Sequence, residues 1–418
     1  MDYHTLQTGE TEHAAVYPRR LIFEAICSRL NMIAETTNNK QFLSNMRILI
    51  VDKTAGLESS HERHRAIAER PSVDLHVLGP RRWIENGREV VWNPPEDCPY
   101  AAHIGAMFFK DYYARAGYSA GLNRALASSQ PDVIQLLEEP WSISAWQTVM
   151  AAVVYAPTAR ILFYTWETIY RPWTYPSRAS WLYGMIDKIL HHRSTAAVCA
   201  TQSAKAVLLR KGFSKPILTA SYGIPSFFFN DNTQDLIPNR PFTAGYVGRI
   251  LYMKGVDLLI EAAAALPDLH LIIAGSGEDQ GTMQERCREL GIADRIKWRP
   301  PMPERQIPEF LRQMDVFVLP SRTTEGWSEQ LGRAAIEAMA CGVPTIGSSS
   351  GAIPEAIGGA GLIFKENSLQ SLVEKIVRLR DCAPARNRLR HAGRERAIQC
   401  FTWDRFAGDL CSFYRTLL

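Results

Sequence analysis

From Met46 onward, short β-type runs alternate with segments of helical periodicity, and that alternation limits the fold more than any other feature. The runs are Arg47–Asp52, Asp74–Leu78, Val133–Leu137, Ile161–Tyr164, Ala196–Cys199 and Ile217–Ala220. Helical patterns fall between them over Ser60–Ala68, Ala116–Ala127, Ser142–Ala152, Ala179–His191 and Thr201–Lys211. Strands separated by helices pair in parallel, because a crossover long enough to return the chain covers a sheet face. A second series starts at Phe242–Val247 and continues through Leu269–Ala274, Arg295–Trp298, Val316–Leu319 and Thr345–Gly347. Pro225–Pro241, rich in Pro, Asn, Asp and Phe without a period, reads as the linker between them. The expected organisation is α/β, with two doubly wound domains at 46–224 and 242–400, a linker at 225–241 and a terminal helix within 401–418. Residues 1–45 read as a loosely ordered extension, with one helical pattern over Arg20–Ala34.

The bulk properties are compatible with that size. A chain of 418 residues with 46% hydrophobic residues can bury two full cores. A net charge of +4 without a long basic run argues against nucleic-acid binding. The cysteines at 27, 98, 199, 287, 341, 382, 400 and 411 form no Cys-x-x-Cys and no His-paired set, so neither a metal site nor a disulfide framework is expected. Reduced cysteines fit a cytoplasmic enzyme. No run of eighteen apolar residues is present, and the first 45 residues lack the apolar core of a signal peptide.

Two segments carry chemistry. In Asp315–Glu355 the apolar run Val316–Leu319 ends at Pro320-Ser321, and helix formers from Ala334 to Ala340 stop at Cys341-Gly342. A helix opening just after a parallel strand points free N–H groups at the crevice beyond the strand ends, which favours a phosphate there. Glu329, just before that helix, and Glu337, two turns on, can accept hydrogen bonds from sugar hydroxyls; the plainer reading is Glu near a helix start, where the macrodipole favours it. In the second segment, the strand Phe242–Val247 runs into Gly248, Arg249 and Lys254-Gly255. Arg249 and Lys254 across one strand-to-helix turn suit a diphosphate, though either alone reads as a solvated charge.

Together, Gly248-Arg249 through Lys254-Gly255, Glu329 and Glu337 separated by seven residues, Glu337–Pro344 (EAMACGVP) and Gly351–Glu355 (GAIPE) resemble the retaining nucleotide-sugar glycosyltransferases, group 1 or family 4 type. The likeness is specific over about 241–365 and looser over 46–240. It implies two Rossmann-like domains facing across a cleft, the GT-B architecture, with the terminal helix crossing back onto the first domain. It also implies Arg249 and Lys254 on the donor diphosphate, Glu329 on the transferred sugar, Glu337 on the ribose, and backbone near Gln330 and Leu331 completing the phosphate cradle. No cofactor or metal is implied beyond the nucleoside-diphosphate sugar itself.

The first domain departs from the family pattern. Glu138-Glu139 stands where relatives often carry a histidine that contacts the sugar, and Trp166-Glu167 where many have a His-containing pair. Glu138 either substitutes for that histidine or is a loop carboxylate, facing solvent or capping the helix from Ser142. Acceptor-side candidates are Gly56, His103, Glu139, Trp141, Trp166, Glu167, Arg171 and Trp173. The aromatic residues between Trp141 and Trp181 can stack on sugar faces, fill the core, or lie with Lys188 and Arg193 on a membrane surface to meet a lipid-linked acceptor.

The implied function is hexosyl transfer with retention to a saccharide or lipid-linked acceptor, in polysaccharide or glycolipid synthesis, in the cytoplasm or at the inner membrane face. Open alternatives are a non-catalytic nucleotide-sugar-binding homologue and an epimerase. A dehydrogenase is disfavoured, since no Gly-x-Gly-x-x-Gly follows the first strand.

Overall fold

The computed structural model describes residues 45–85, 87–170, 180–230 and 240–418. Its first ten strands are β1 (Met46–Val51), β2 (Val73–Pro80), β3 (Arg82–Glu85), β4 (Arg88–Val91), β5 (Ala101–Phe108), β6 (Gly117–Ala120), β7 (Val133–Leu136), β8 (Arg160–Thr165), β9 (Ala196–Cys199) and β10 (Ile217–Thr219). Eight of them form one sheet in the order β10-β9-β8-β7-β1-β2-β5-β6, and β3 with β4 makes a separate hairpin. Pairing is parallel throughout the large sheet except between β5 and β6. Ile48 faces Leu75 on one side and Val133 on the other, so β1 is central. Its residues Leu49–Val51 are fully buried, as a strand covered by helices on both faces must be.

The second sheet contains β11 (Thr243–Val247), β12 (His270–Ala274), β13 (Ile296–Arg299), β14 (Val316–Leu319), β15 (Thr345–Ser348) and β16 (Leu362–Phe364). It is all parallel, in the order β13-β12-β11-β14-β15-β16. This is a Rossmann-like order, and the first sheet repeats it around β1 and β7. The fold is therefore α/β with two doubly wound, Rossmann-like halves, the GT-B architecture.

The last helix, Trp403–Leu417, starts at Thr402, whose hydroxyl accepts from Arg405 N at 3.2 Å. Trp403, Phe406, Leu410 and Tyr414 recur at helical spacing and pack with Met46, Ile48 and Ile50 of the first sheet. Tyr414 donates to Gln135 Oε1 at 3.0 Å. The chain end thus crosses back to the half it started from.

Several boundaries differ from the sequence expectation. The helix expected over Ala116–Ala127 begins only at Leu122: Gly117–Ala120 is β6, paired antiparallel to β5, and Gly121 at φ +95° separates the two. β5 itself (AAHIGAMF) has too few β-branched residues to announce a strand. Within the expected linker, Ser226–Phe229 forms a short 3-10 turn whose Phe228 is buried in the second core. The helical pattern expected over Arg20–Ala34 lies outside the described residues.

Candidate active site

In the second sheet β11 and β14 are neighbours, and the chain leaves them toward opposite edges. A crevice opens there beyond the strand ends, walled by the loops 248–255 and 320–332. Gly255 lets the two loops meet. At φ +69° it lies where a side chain is strained, and a Cβ would sit 2.0 Å from the Pro320 carbonyl oxygen.

That contact brings Lys254 and Glu329 together. Lys254 Nζ is 2.8 Å from Glu329 Oε2 and 4.4 Å from the centre of the Trp327 ring. Ser321 Oγ donates to the same carboxylate oxygen at 2.8 Å. Glu329, Gln330 and Leu331 line a cleft of about 560 Å³. Gly332 and Arg333, at the start of the helix Arg333–Ala340, line it too, so that helix opens its first turn at the cleft wall.

Glu337 does not line the cleft; it is buried one turn inside the helix, with Arg333 Nε 2.7 Å from its Oε1. Burial pushes its carboxyl up to about 7, against the pull of Arg333. Arg333 also pairs with Glu304. Gly248 and Arg249 lie on the loop after β11. The Arg249 carbonyl accepts from Tyr246 Oη at 2.7 Å, while its side chain is exposed and has no ion-pair partner among the described residues.

The first sheet has the equivalent crevice between β1 and β7, and there the sequence expectation for Glu138 needs correction. Glu138 neither faces solvent nor reaches the cleft. It is fully buried, and its Oε2 takes Lys53 Nζ at 2.6 Å, Ser142 Oγ at 2.9 Å and Ser144 Oγ at 2.6 Å. Lys53, which does line the cleft, also donates to the Tyr113 carbonyl at 2.8 Å. Burial pulls its ammonium below the ordinary lysine range, opposed by Glu138. Sequence reasoning gave Lys53 no role, although its place two residues beyond β1, at a strand-order switch, was the available signal.

Glu139 lines the cleft and is nearly buried, accepting from Thr165 Oγ1 at 2.7 Å and Trp166 N at 2.8 Å. Burial, with Glu167 adjacent, holds its carboxyl well above the usual carboxylate range. Glu167 pairs with Lys211. Trp141, Trp166 and Glu167 share that wall. Gly56 and His103 do not. A Cβ on Gly56 would meet Val90 and Trp92 at 2.8 and 3.2 Å, so the glycine accommodates the β3–β4 hairpin. His103 sits on β5 with its Nε2 2.9 Å from His76 Nδ1. Arg171 and Trp173 lie outside the described residues.

Polar contacts join the two walls. Thr168 Oγ1 and Ser328 Oγ are 2.7 Å apart across the cleft, and Glu355 of the second half accepts from Gln202 N, at the start of the helix Gln202–Arg210, at 2.8 and 2.9 Å. Behind the first wall, Asp52 accepts from His64 Nε2 at 3.0 Å, Thr54 Oγ1 at 2.7 Å and Arg63, all beside β1.

Residues 228–396 match the family model described as glycosyl transferases group 1. D-inositol 3-phosphate glycosyltransferase of Mycolicibacterium smegmatis is 32% identical over 185 residues, 43% of this chain and 41% of that protein. The same enzyme of Thermomonospora curvata is 31% identical over 193 residues, 43% of each chain. The alignments thus span less than half the length of these curated relatives. Among solved structures, HepE of Anabaena in complex with UDP superposes with a TM-score of 0.67 at 15% identity, covering 89% of this chain and all of HepE. Sucrose-phosphate synthase of Thermosynechococcus elongatus gives 0.64 at 17% identity, covering 88% and 98%. At those identities the likeness is one of fold.

Proposed function

Since residues 228–396 match the glycosyl transferases group 1 model and the chain has the GT-B fold, we propose that it moves a hexosyl group from a nucleoside diphosphate to an acceptor hydroxyl with retention at the anomeric carbon. The observation that carries this reading is the Lys254–Glu329 contact at the strand-order switch of the second sheet. A cation suited to a diphosphate and an acid suited to sugar hydroxyls lie side by side in the segment that the family model matches.

In this reading residues 242–400 hold the donor and residues 46–224 the acceptor. Lys254 and Arg249 bind the diphosphate. Glu329 accepts from hydroxyls of the transferred sugar, with Gln330 and Leu331 contributing backbone N–H groups. Glu337 holds the ribose once Arg333, which already pairs with Glu304, turns from it toward a phosphate. As the bond from sugar C1 to phosphate oxygen breaks, the acceptor oxygen bonds C1 and its proton passes to the departing diphosphate. Negative charge grows on that diphosphate, so cations and helix N–H groups fixed around it lower the barrier. Each charge-assisted hydrogen bond contributes roughly 1.5–3 kcal/mol. Two cations could thus do the work that other transferases assign to a metal. Glu139, Glu167, Trp141 and Trp166 meet a saccharide or lipid-linked acceptor, as in cell-surface polysaccharide or glycolipid synthesis at the cytoplasmic face of a membrane.

The UDP held by HepE makes uridine the first nucleoside to try. Thermal stabilisation by UDP-, GDP- and ADP-sugars, followed by assay for donor hydrolysis, tests the reading. One nucleotide sugar should raise the melting temperature and be slowly hydrolysed to nucleoside diphosphate. Stabilisation without hydrolysis or transfer would leave only a binding protein, and an altered free nucleotide sugar would mark an epimerase.

A further inference from the structure

The first half carries an apolar surface that its own core does not use. The helix Ile143–Tyr155 (ISAWQTVMAAVVY) contains no charged residue, yet one of its faces is at the surface. Trp146, Met150 and Val154, four residues apart, are 36%, 39% and 70% exposed. The helix Ser180–Arg193 packs beside it and exposes Trp181 at 68% and Met185 at 46%. The turn after β5 extends the surface: Ile143 N donates to the Ala114 carbonyl at 3.0 Å, and the same turn holds out Phe109 and Tyr112. Phe109 does so at φ +50°, a backbone state that costs a bulky residue about 1–3 kcal/mol. Its ring packs edge-on against the neighbouring Phe108, ring centres 5.6 Å apart, and 59% of the residue stays exposed.

Charge selects among occupants. The helix Ser180–Arg193 has one carboxylate, Asp187, which is buried and paired with Lys211 and His191. Its exposed charged or titratable residues are Lys188 and His192, and Lys110 and Arg115 stand in the turn beside Phe109 and Tyr112. Against these, the exposed carboxylate in the three segments is Asp111. A second copy docked on this face would set cations against cations. A bilayer containing anionic lipid offers the complementary sign, and aromatic and Met side chains suit the level of its headgroups.

We propose that this face lies on the surface of an anionic phospholipid bilayer, with Trp146, Met150, Val154, Trp181 and Phe109 entering the headgroup region. No helix among the described residues is long and apolar enough to cross a membrane, so the contact is in-plane. The helices that carry this face meet the acceptor wall at Trp141. Trp141, which lines the cleft, begins the turn into Ile143–Tyr155 and packs edge-on against Tyr183 of the second helix, ring centres 6.3 Å apart. An acceptor anchored in lipid would therefore present its hydroxyl near the cleft. The membrane contact does not depend on the transfer reading, and the measurement below needs no nucleotide sugar.

The full chain should co-sediment with phosphatidylcholine vesicles containing phosphatidylglycerol, less with phosphatidylcholine alone, and less again in high salt. The pair Val154→Glu and Trp181→Glu should lower the partition coefficient at least about tenfold. Its melting temperature should stay unchanged, because both sites are exposed. Should the pair melt early, Trp181→Phe gives a second readout: quenching of tryptophan fluorescence by brominated lipid, clear in the wild type, should fall. Absence of vesicle binding by the wild type, or binding indifferent to both substitutions, overturns the proposal. So does a dimer in analytical ultracentrifugation that Val154→Glu dissolves.

Discussion

Lys53 Nζ lies 2.6 Å from Glu138 Oε2, both side chains withdrawn from solvent, and the pair ties the end of β1 to the end of β7 at the strand-order switch of the first sheet. Removing one partner strands a buried charge, which costs about 3–5 kcal/mol, whereas replacing both with apolar groups of similar volume can be near neutral. Lys53→Met should therefore destabilise strongly in urea unfolding, and Lys53→Met with Glu138→Leu should recover at least half of the loss. Glu138→Gln frees Lys53 from its anchor in the cleft wall and should lower turnover by about tenfold or more. Turnover within about threefold of wild type would leave the pair a structural tie alone.

The donor clamp separates affinity from stability at one of its two cations. Arg249 is exposed and does not support the core, whereas Lys254 is largely withdrawn from solvent and paired with the buried Glu329. Lys254→Ala should weaken nucleoside-diphosphate binding roughly 10- to 100-fold, the equivalent of one charge-assisted bond. Arg249→Ala should weaken it comparably with an unfolding free energy within about 0.5 kcal/mol of the wild type, whereas Lys254→Ala also leaves the Glu329 carboxylate without its cation and should cost roughly 1–3 kcal/mol. Isothermal titration with UDP and GDP measures the first quantity and urea unfolding the second. Affinity indifferent to both substitutions would remove the clamp.

How much of this was legible beforehand follows from what each signal depends on. Val316–Leu319 was readable to the residue because a strand buried on both faces must be continuously apolar, and it is. β6 was not, because Gly117–Ala120 is held by pairing to the edge of β5, a partner that local pattern does not encode. The same division runs through the site. Glu329 and Lys254 lie on one turn each and their neighbourhood follows from the parallel-sheet rule. The burial of Glu138 depends on Lys53, eighty-five positions earlier in the chain, and on the serines of the helix that follows. A carboxylate after a strand looks the same in sequence whether it faces a ligand or a lysine.

His64 makes stability depend on pH in a window of its own. It is fully buried with Nε2 on Asp52, and burial lowers its pKa from the usual 6.5 to about 4. Between those values the unfolded chain binds the proton and the folded chain does not, so stability rises with pH. Its contribution is complete above about pH 6.5 and is lost as pH falls toward 4, by about 3 kcal/mol. His64→Asn removes the titration. The stability gap between wild type and variant, taken from urea unfolding at pH 7 and pH 4.5, should narrow by about 2–3 kcal/mol at the lower pH. A constant gap would mean that the folded and unfolded chains hold the His64 proton alike, and a gap that widens at the lower pH would mean that His64 is protonated beside Asp52. Asp52, depressed by Arg63 and His64 against its burial, loses its own contribution only as pH falls below the ordinary carboxylate range, so the two windows separate.

Gly255 tests whether the two donor loops are held by contact or only by chain geometry. An alanine there meets two costs, the left-handed φ of +69° and the Pro320 carbonyl oxygen 2.0 Å from its Cβ. Gly212, at φ +88° with nothing within 4 Å of its Cβ position, meets only the first. Gly212→Ala should therefore cost about 1–2 kcal/mol, and Gly255→Ala about 1–3 kcal/mol more for the overlap. Because the overlap pushes the loop after β11 away from that after β14, it also separates Lys254 from Glu329. Nucleoside-diphosphate affinity should consequently fall in Gly255→Ala and hold in Gly212→Ala, under conditions where both remain folded. Equal destabilisation of the two variants, with unchanged affinity, would mean that the loops accommodate the methyl group and that the Lys254–Glu329 spacing is set elsewhere.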